Sequence, residues 1–145
     1  MAPMSSKPKT PSVTRATQPV AATDVSACCR DLDHWPRSWM GLEKDLPPGE
    51  QLLACFRPFI QHLASSRLSS KTIRKHVDNL WMLGGEMIRD LHEDPSLRKV
   101  AVHRLLRDVV HADGGPLIHN RSEDEQRSFD STCRKLHRFL TQPQG

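Results

Sequence analysis

The side chains best suited to binding chemistry form one cluster of hydroxyls and cations at a predicted helix start. The cluster consists of Ser69, Ser70, Lys71, Arg74 and Lys75. A helix N-terminus presents free backbone N–H groups and partial positive charge, so it attracts phosphate, and neighbouring cations strengthen that attraction. Without an anion, each base at this end costs about 0.3–1 kcal/mol. The spacing predicts a phosphate site; the alternative is that the side chains simply extend into water, where salt screens the cost.

A second basic cluster closes the last predicted helix, where Arg134, Lys135 and Arg138 stand at the favourable end of the dipole. Residues 51–77 contain five bases and no acid. The net charge of the chain is +4. These features favour an acidic partner such as nucleic acid.

The first helix that must position these clusters is predicted from near Glu50. Its buried face has the i, i+3, i+4 spacing of an amphipathic helix and consists of Leu52, Leu53, Phe56, Phe59, Ile60 and Leu63. Pro58 cannot donate a hydrogen bond to Ala54, so a kink or a restart of the helix is expected there.

The second helix is predicted to begin at Ser69 or Ser70, either of which can cap it. Its apolar stripe consists of Ile73, Val77, Leu80, Gly84, Met87 and Leu91, with Trp81 and Ile88 beside it. Gly84 and Gly85 lie mid-helix, where each costs about 1 kcal/mol relative to alanine. They predict the close approach of another helix, or a bend.

Two further helices follow. Asp94 and Pro95 give a start signal for the third, which ends at Gly114 and Gly115 and has an inward face of Val102, Leu105, Leu106, Val109 and Val110. Ser122 opens a capping box for the last, whose core positions are Phe129, Cys133, Leu136 and Leu140. No segment alternates with period two over a useful length. The predicted fold class is all-α, a compact bundle of four to five helices.

Composition divides the chain into three parts. Residues 1–25 are rich in Pro, Ser, Thr and Ala and are predicted to be a disordered arm. Residues 26–49 are predicted to form a strap whose Trp35 and Trp39 pack on the core, with nucleobase stacking as the alternative role for these indoles. Residues 50–141 are predicted to be the helical domain. The hydrophobic fraction of 37% is below the usual figure of about 45–50%, as expected if part of the chain is unfolded.

No spacing in the sequence indicates a metal site, a cofactor or an enzyme. The eight histidines form no zinc-binding motif, and His62 and His76 are expected on the surface or half-buried. The cysteines have no C-x-x-C spacing and are expected to be reduced thiols of a cytoplasmic protein: Cys28, Cys29, Cys55 and Cys133. There is neither an apolar run long enough to span a membrane nor a secretory h-region within residues 1–24. We therefore expect no membrane association.

Two stretches resemble a known family. The first is FIQHLASSRLSSKTIRKHVDNLWML, with the matching residues Leu68, Ser69, Lys71, Thr72, Ile73, Arg74, Val77 and Leu80. The second is STCRKLHRFL, with the matching residues Ser131, Thr132, Arg134, Leu136, Phe139 and Leu140. Over about residues 50–141 the chain resembles the SAM-like N-terminal (core-binding) domain of phage-type integrases and other tyrosine recombinases.

The resemblance implies a SAM-like bundle that clamps DNA, with the loop and helix around the matching Ser69 and Lys71 facing the phosphates. In the family a separate catalytic domain follows, with a nucleophilic tyrosine. This sequence contains no tyrosine and reaches Gly145 soon after the last predicted helix, so we expect no recombinase catalysis. The segment around Gly114 to Pro116 is also more elaborate than the usual connection of the family.

Two hypotheses of different classes follow. The first is a non-catalytic module that binds the phosphates of double-stranded DNA and acts in the integration or recombination of mobile elements, with a recombinase or another protein as a further partner. The second is a helical protein-interaction domain whose basic face is incidental. The residues predicted to bind DNA are Arg67, Ser69, Ser70, Lys71, Thr72, Arg74, Lys75, Arg134, Lys135 and Arg138.

Overall fold

The computed structural model of the chain describes residues 31–118 and 121–142. Within these ranges the fold is all-α, as predicted. The five α-helices are α1 (Trp35–Trp39), α2 (Leu46–Ala64), α3 (Ser70–Glu93), α4 (Val102–Val109) and α5 (Glu123–Thr141). Three short 3-10 helices accompany them, at Leu32–His34, Glu43–Asp45 and Pro95–Lys99. The predicted arm, residues 1–25, lies outside the described residues, as do Cys28 and Cys29.

Helix α2 packs against α1, α3 and α4, and its buried face contains all six residues predicted for it. The helix begins at Leu46, four residues before the predicted start, with Pro47 in its first turn, where a missing N–H removes no helical bond. Of the kink or restart predicted at Pro58, the restart does not occur: the helix runs through this residue, and Phe56 and Phe59 on either side of it are both buried in the same core.

Helix α3 begins as predicted, with Ser69 as its cap, and its predicted stripe is buried, as is Ile88 beside it. The prediction that Trp81 widens the buried stripe is wrong, because this residue is 41% exposed. The close approach predicted at Gly84 is also present, and the approaching group is Trp39 of α1. A Cβ built on Gly84 would lie 2.2 Å from Cζ2 of that indole. Only glycine leaves room for the ring at this position.

The segment predicted as one third helix is two elements. Asp94 caps a 3-10 helix, Pro95–Lys99, and α4 starts only at Val102. Val100 between them has an extended backbone. The side chain of Arg98 donates to Lys44 and Asp45, which ties the 3-10 helix to a distant part of the chain.

Helix α5 has the predicted capping box: Ser122 Oγ accepts from the N–H of Glu125, and the Glu125 carboxylate accepts from the N–H of Ser122. Of its predicted core positions, Phe129, Cys133 and Leu136 are buried, whereas Leu140 is only partly buried.

The tryptophans before α2 pack on the core. Trp35 is buried, and its ring contacts Phe56 edge-on at a centroid distance of 6.5 Å. The Trp39 ring makes a similar contact with Phe56 at 6.4 Å. Leu32 belongs to the same cluster of buried residues. One hydrophobic core therefore includes residues from both sides of the predicted boundary at residue 50.

Candidate phosphate-binding surface

The start of α3 is held in a fixed geometry by serine hydroxyls. Ser69 Oγ accepts from the N–H of Thr72 at 3.1 Å and also bonds Thr72 Oγ1 at 3.0 Å. In the loop before it, Ser66 Oγ donates to the Leu63 carbonyl and accepts from the N–H of Leu68. Because the first helical bond is donated by Ile73, the N–H groups of Ser70 and Lys71 remain available to a ligand.

The three cations in the first turns of α3 share one exposed face. Lys71, Arg74 and Lys75 have the i, i+3 and i+4 spacing that puts side chains side by side, and all three are exposed. Thr72, in contrast, is partly buried, and its hydroxyl oxygen accepts from the Ser69 hydroxyl, so Thr72 supports the helix cap.

The structure brings the second basic cluster to the same region. Arg67, Lys135 and Arg138 line one cleft of about 340 Å³ between the end of α2 and the end of α5. The aromatic wall of this cleft includes Phe139 and the exposed His62, whose ring centroids are 5.2 Å apart. The cleft therefore combines cations with a stacking surface.

His76 lies between the two clusters, and its predicted surface or half-buried position is wrong. The residue is 6% exposed, and its Nδ1 is 2.7 Å from Thr132 Oγ1. Burial lowers the pKa of His76, and the charges of Lys135 and Lys75 lower it further. The imidazole is thus held neutral beneath two lysines, one from each helix.

Asn79 completes this connection between the helices. Its Nδ2 donates to Thr132 Oγ1 at 2.9 Å and to the carbonyl of Ser128 at 3.2 Å. Since Asn79 and His76 belong to α3 and their partners to α5, these bonds fix the distance between the two basic clusters. Neither residue carried a motif, and only their position beside the apolar stripe of α3 could have indicated burial.

Arg134 is the predicted site residue that the structure places elsewhere. Its Nη1 donates to the carbonyl of Asp113 at 3.4 Å, beside the turn that contains Gly114. The remaining cations form what we call the basic surface: Arg67, Lys71, Arg74, Lys75, Lys135 and Arg138.

The cations of the basic surface have no ion pairs among the described residues, where five arginines outside it have them and six other lysines and arginines, most of them scattered, do not. Those five are Arg57, Arg89, Arg98, Arg121 and Arg127. Positive charge on the basic surface is therefore uncompensated by the described part of the chain.

Sequence reasoning missed a buried charged cluster around Asp45. The fully buried carboxylate accepts from Arg98 Nη2 at 2.7 Å, lies 2.6 Å from His92 Nε2, and accepts from the N–H groups of Gly41 and Leu42. Burial alone would raise the pKa of Asp45, but these four partners outweigh it and hold the pKa well below its usual range. The partners at residues 92 and 98 are too distant in sequence for any local pattern to indicate them.

Within residues 31–118 and 121–142, no group of three or more His, Cys, Asp or Glu side chains could hold a metal ion. The same residues contain no helix that is long and apolar enough to cross a membrane.

No protein-family model, no curated protein and no solved structure matches this chain. Its resemblance to recombinase core-binding domains therefore stays a prediction, and a proposed function rests on the geometry of the basic surface.

Proposed function

We propose that this protein is a non-catalytic DNA-binding module that holds the phosphates of double-stranded DNA on the basic surface. The observation that supports the proposal is the clustering of six cations, none of which has an ion pair among the described residues, around the start of α3 and the end of α5. Clustered like charges repel one another, and a bound polyanion offsets this repulsion because it attracts each of the cations.

The available donors suit the DNA backbone better than the base edges. The N–H groups of Ser70 and Lys71 lie at a helix N-terminus beside three cations, an arrangement that favours a phosphate oxygen. Arg67 and Lys135 in the neighbouring cleft would contact a second phosphate. Such contacts position a protein on DNA without reading its sequence.

A role in integration or recombination of mobile elements belongs to the same proposal and is supported by the sequence resemblance alone. A cytoplasmic location is supported by Cys55 and Cys133, which are both free thiols, as is usual in reducing compartments.

The proposal is tested by titrating a labelled duplex of random sequence at several salt concentrations with the parent and with a variant carrying Lys71→Ala, Arg74→Ala and Lys75→Ala. Each lost phosphate contact should reduce the slope of log K against log salt by about 0.9, whatever the DNA sequence. The triple variant should also be as stable as the parent or slightly more stable, because it removes cations from the positive end of the α3 dipole.

The matched control replaces Arg89, Arg121 and Arg127 by alanine. It removes the same net charge from three arginines that are paired with carboxylates. It should retain most of the affinity. If both triple variants lose affinity equally, only overall charge matters. If the parent does not bind duplex DNA near physiological salt, the proposal is wrong.

A protein-interaction function is the second candidate, and a groove on another side of α3 favours it.

A further inference from the structure

A groove of about 790 Å³ lies between α1, the middle of α3 and the first turns of α5. Trp35, Trp81 and Met82 give it an apolar wall. Trp81 is 41% exposed, which is unusual for so large an aromatic side chain. The volume falls in the range of about 300–1,000 Å³ that is typical of ligand sites.

The aromatic wall is already fixed in position. Trp81 Nε1 donates to Ser38 Oγ at 2.9 Å, and Ser38 Oγ donates to the Trp35 carbonyl at 2.7 Å. Trp39 Nε1 donates to the Trp81 carbonyl at 2.9 Å. Since the polar edge of the Trp81 indole is satisfied, its exposed ring offers only apolar surface. A ligand that packs there would not need to order it first.

The rim of the groove is acidic. It carries four carboxylates, on Asp31, Asp78, Asp124 and Glu125, against two cations, on Lys75 and Arg121. Asp124 pairs with Arg127, and Glu125 with Arg121, whereas Asp31 and Asp78 have no ion pair among the described residues. This local excess of negative charge stands out in a chain whose net charge is +4. Carboxylates repel phosphate, so the groove is not an extension of the basic surface.

We infer that the groove binds a peptide segment of a partner protein in which apolar side chains are flanked by lysine or arginine. The apolar side chains pack on Trp81 and Met82, and the flanking cations reach Asp31 and Asp78, the two carboxylates that lack a partner. Aromatic anchors inside a charged rim are the usual composition of such interfaces. The inference does not depend on DNA binding, because of the six cations assigned to DNA only Lys75 borders the groove, and the residues proposed to hold the peptide are not among them.

Three synthetic hexapeptides test the inference by calorimetric titration of the full chain. The peptide RKLLKR should bind. RKSSKR lacks the apolar centre and EELLEE has the opposite charge, so each should bind at least about tenfold more weakly. Equal binding of RKLLKR and RKSSKR would mean that the apolar side chains contribute nothing and that only charge attracts the peptide, which would overturn the inference.

The matching variant carries Asp31→Lys and Asp78→Lys, and both positions are exposed. Its control carries Glu50→Lys and Asp108→Lys, which make the same change of charge at exposed positions outside the groove. The first variant should weaken RKLLKR binding at least about tenfold, and the control should change it less than about twofold. Similar affinities in the two variants would overturn the inference, as would a parent that binds no peptide at millimolar concentration.

The competing occupant is the chain's own first 30 residues, since Asp31 itself lines the groove. Nuclear Overhauser contacts between the Trp81 ring and residues 1–30 of the full chain, together with no binding of RKLLKR, would assign the groove to this chain and overturn the proposal of a partner.

Discussion

At the scale of single residues, His76 makes stability depend on pH. Its pKa in the folded protein is below the ordinary value of 6.5, so the unfolded chain binds the proton more readily. The neutral histidine therefore contributes stability that is complete above pH 6.5 and declines as the pH falls from 6.5 through the lowered pKa. We expect the free energy of unfolding to decrease over this interval, and to decrease less in His76→Gln. Urea denaturation at a series of pH values measures both; the same decline in the two proteins would contradict this origin.

Asp45 makes stability depend on pH in the same direction as His76, but in a more acidic interval. Its carboxylate is stabilised in the fold, so its contribution is complete above its ordinary pKa of 3.8 and is lost as the pH falls through the lowered value. Asp45→Asn removes the carboxylate charge from the partly buried Arg98 and should cost about 3 kcal/mol at neutral pH. Asp33→Asn is the control, because the exposed Asp33–Arg57 pair should contribute less than about 1 kcal/mol. Denaturation that finds equal losses would show that burial adds nothing to the Asp45 cluster.

At the scale of helices, two adjacent glycines of α3 should respond oppositely to alanine. In an ordinary helix interior, Gly→Ala stabilises by about 1 kcal/mol. Gly85→Ala should approach that gain, since its Cβ would lie 3.5 Å from the Trp39 ring. Gly84→Ala would place a Cβ 2.2 Å from the same ring and expel it, so we expect a net loss of about 1–3 kcal/mol. Thermal melts of the two variants compare them directly, and a stabilised Gly84→Ala would mean that the Trp39 contact is loose.

The helices that could be predicted from the sequence are those with local signals. The spacing of Leu52 to Leu63 located the buried face of α2, and Ser69 and Ser122 located two helix starts, because periodicity and caps involve residues at most a few turns apart. The division of the third helix was not predictable in this way. Arg98 is held by Asp45, more than fifty residues earlier, and no local pattern records that bond.

At the scale of the whole molecule, the predicted site was partly assembled by long-range contacts. The α3 cations could be found from their spacing alone. These cations lie near Lys135 because His76 and Asn79 bond Thr132 across the bundle. Arg134 does not belong to the basic surface because it bonds the carbonyl of Asp113 instead. Sequence therefore identified the charges, whereas tertiary structure decided which of them share a surface.

The placement of the three tryptophans has an optical consequence. Trp35, Trp39 and Trp81 all lie where α1 meets α3, and the chain has no tyrosine, so its intrinsic fluorescence comes almost entirely from this corner. A duplex on the basic surface should leave the emission spectrum nearly unchanged, whereas a peptide beside Trp81 should shift or quench it. Titrations followed by tryptophan emission can thus distinguish the two proposed ligands without any label. An emission shift on adding DNA would instead mean that the duplex passes Lys75, which borders the groove, and reaches the indoles.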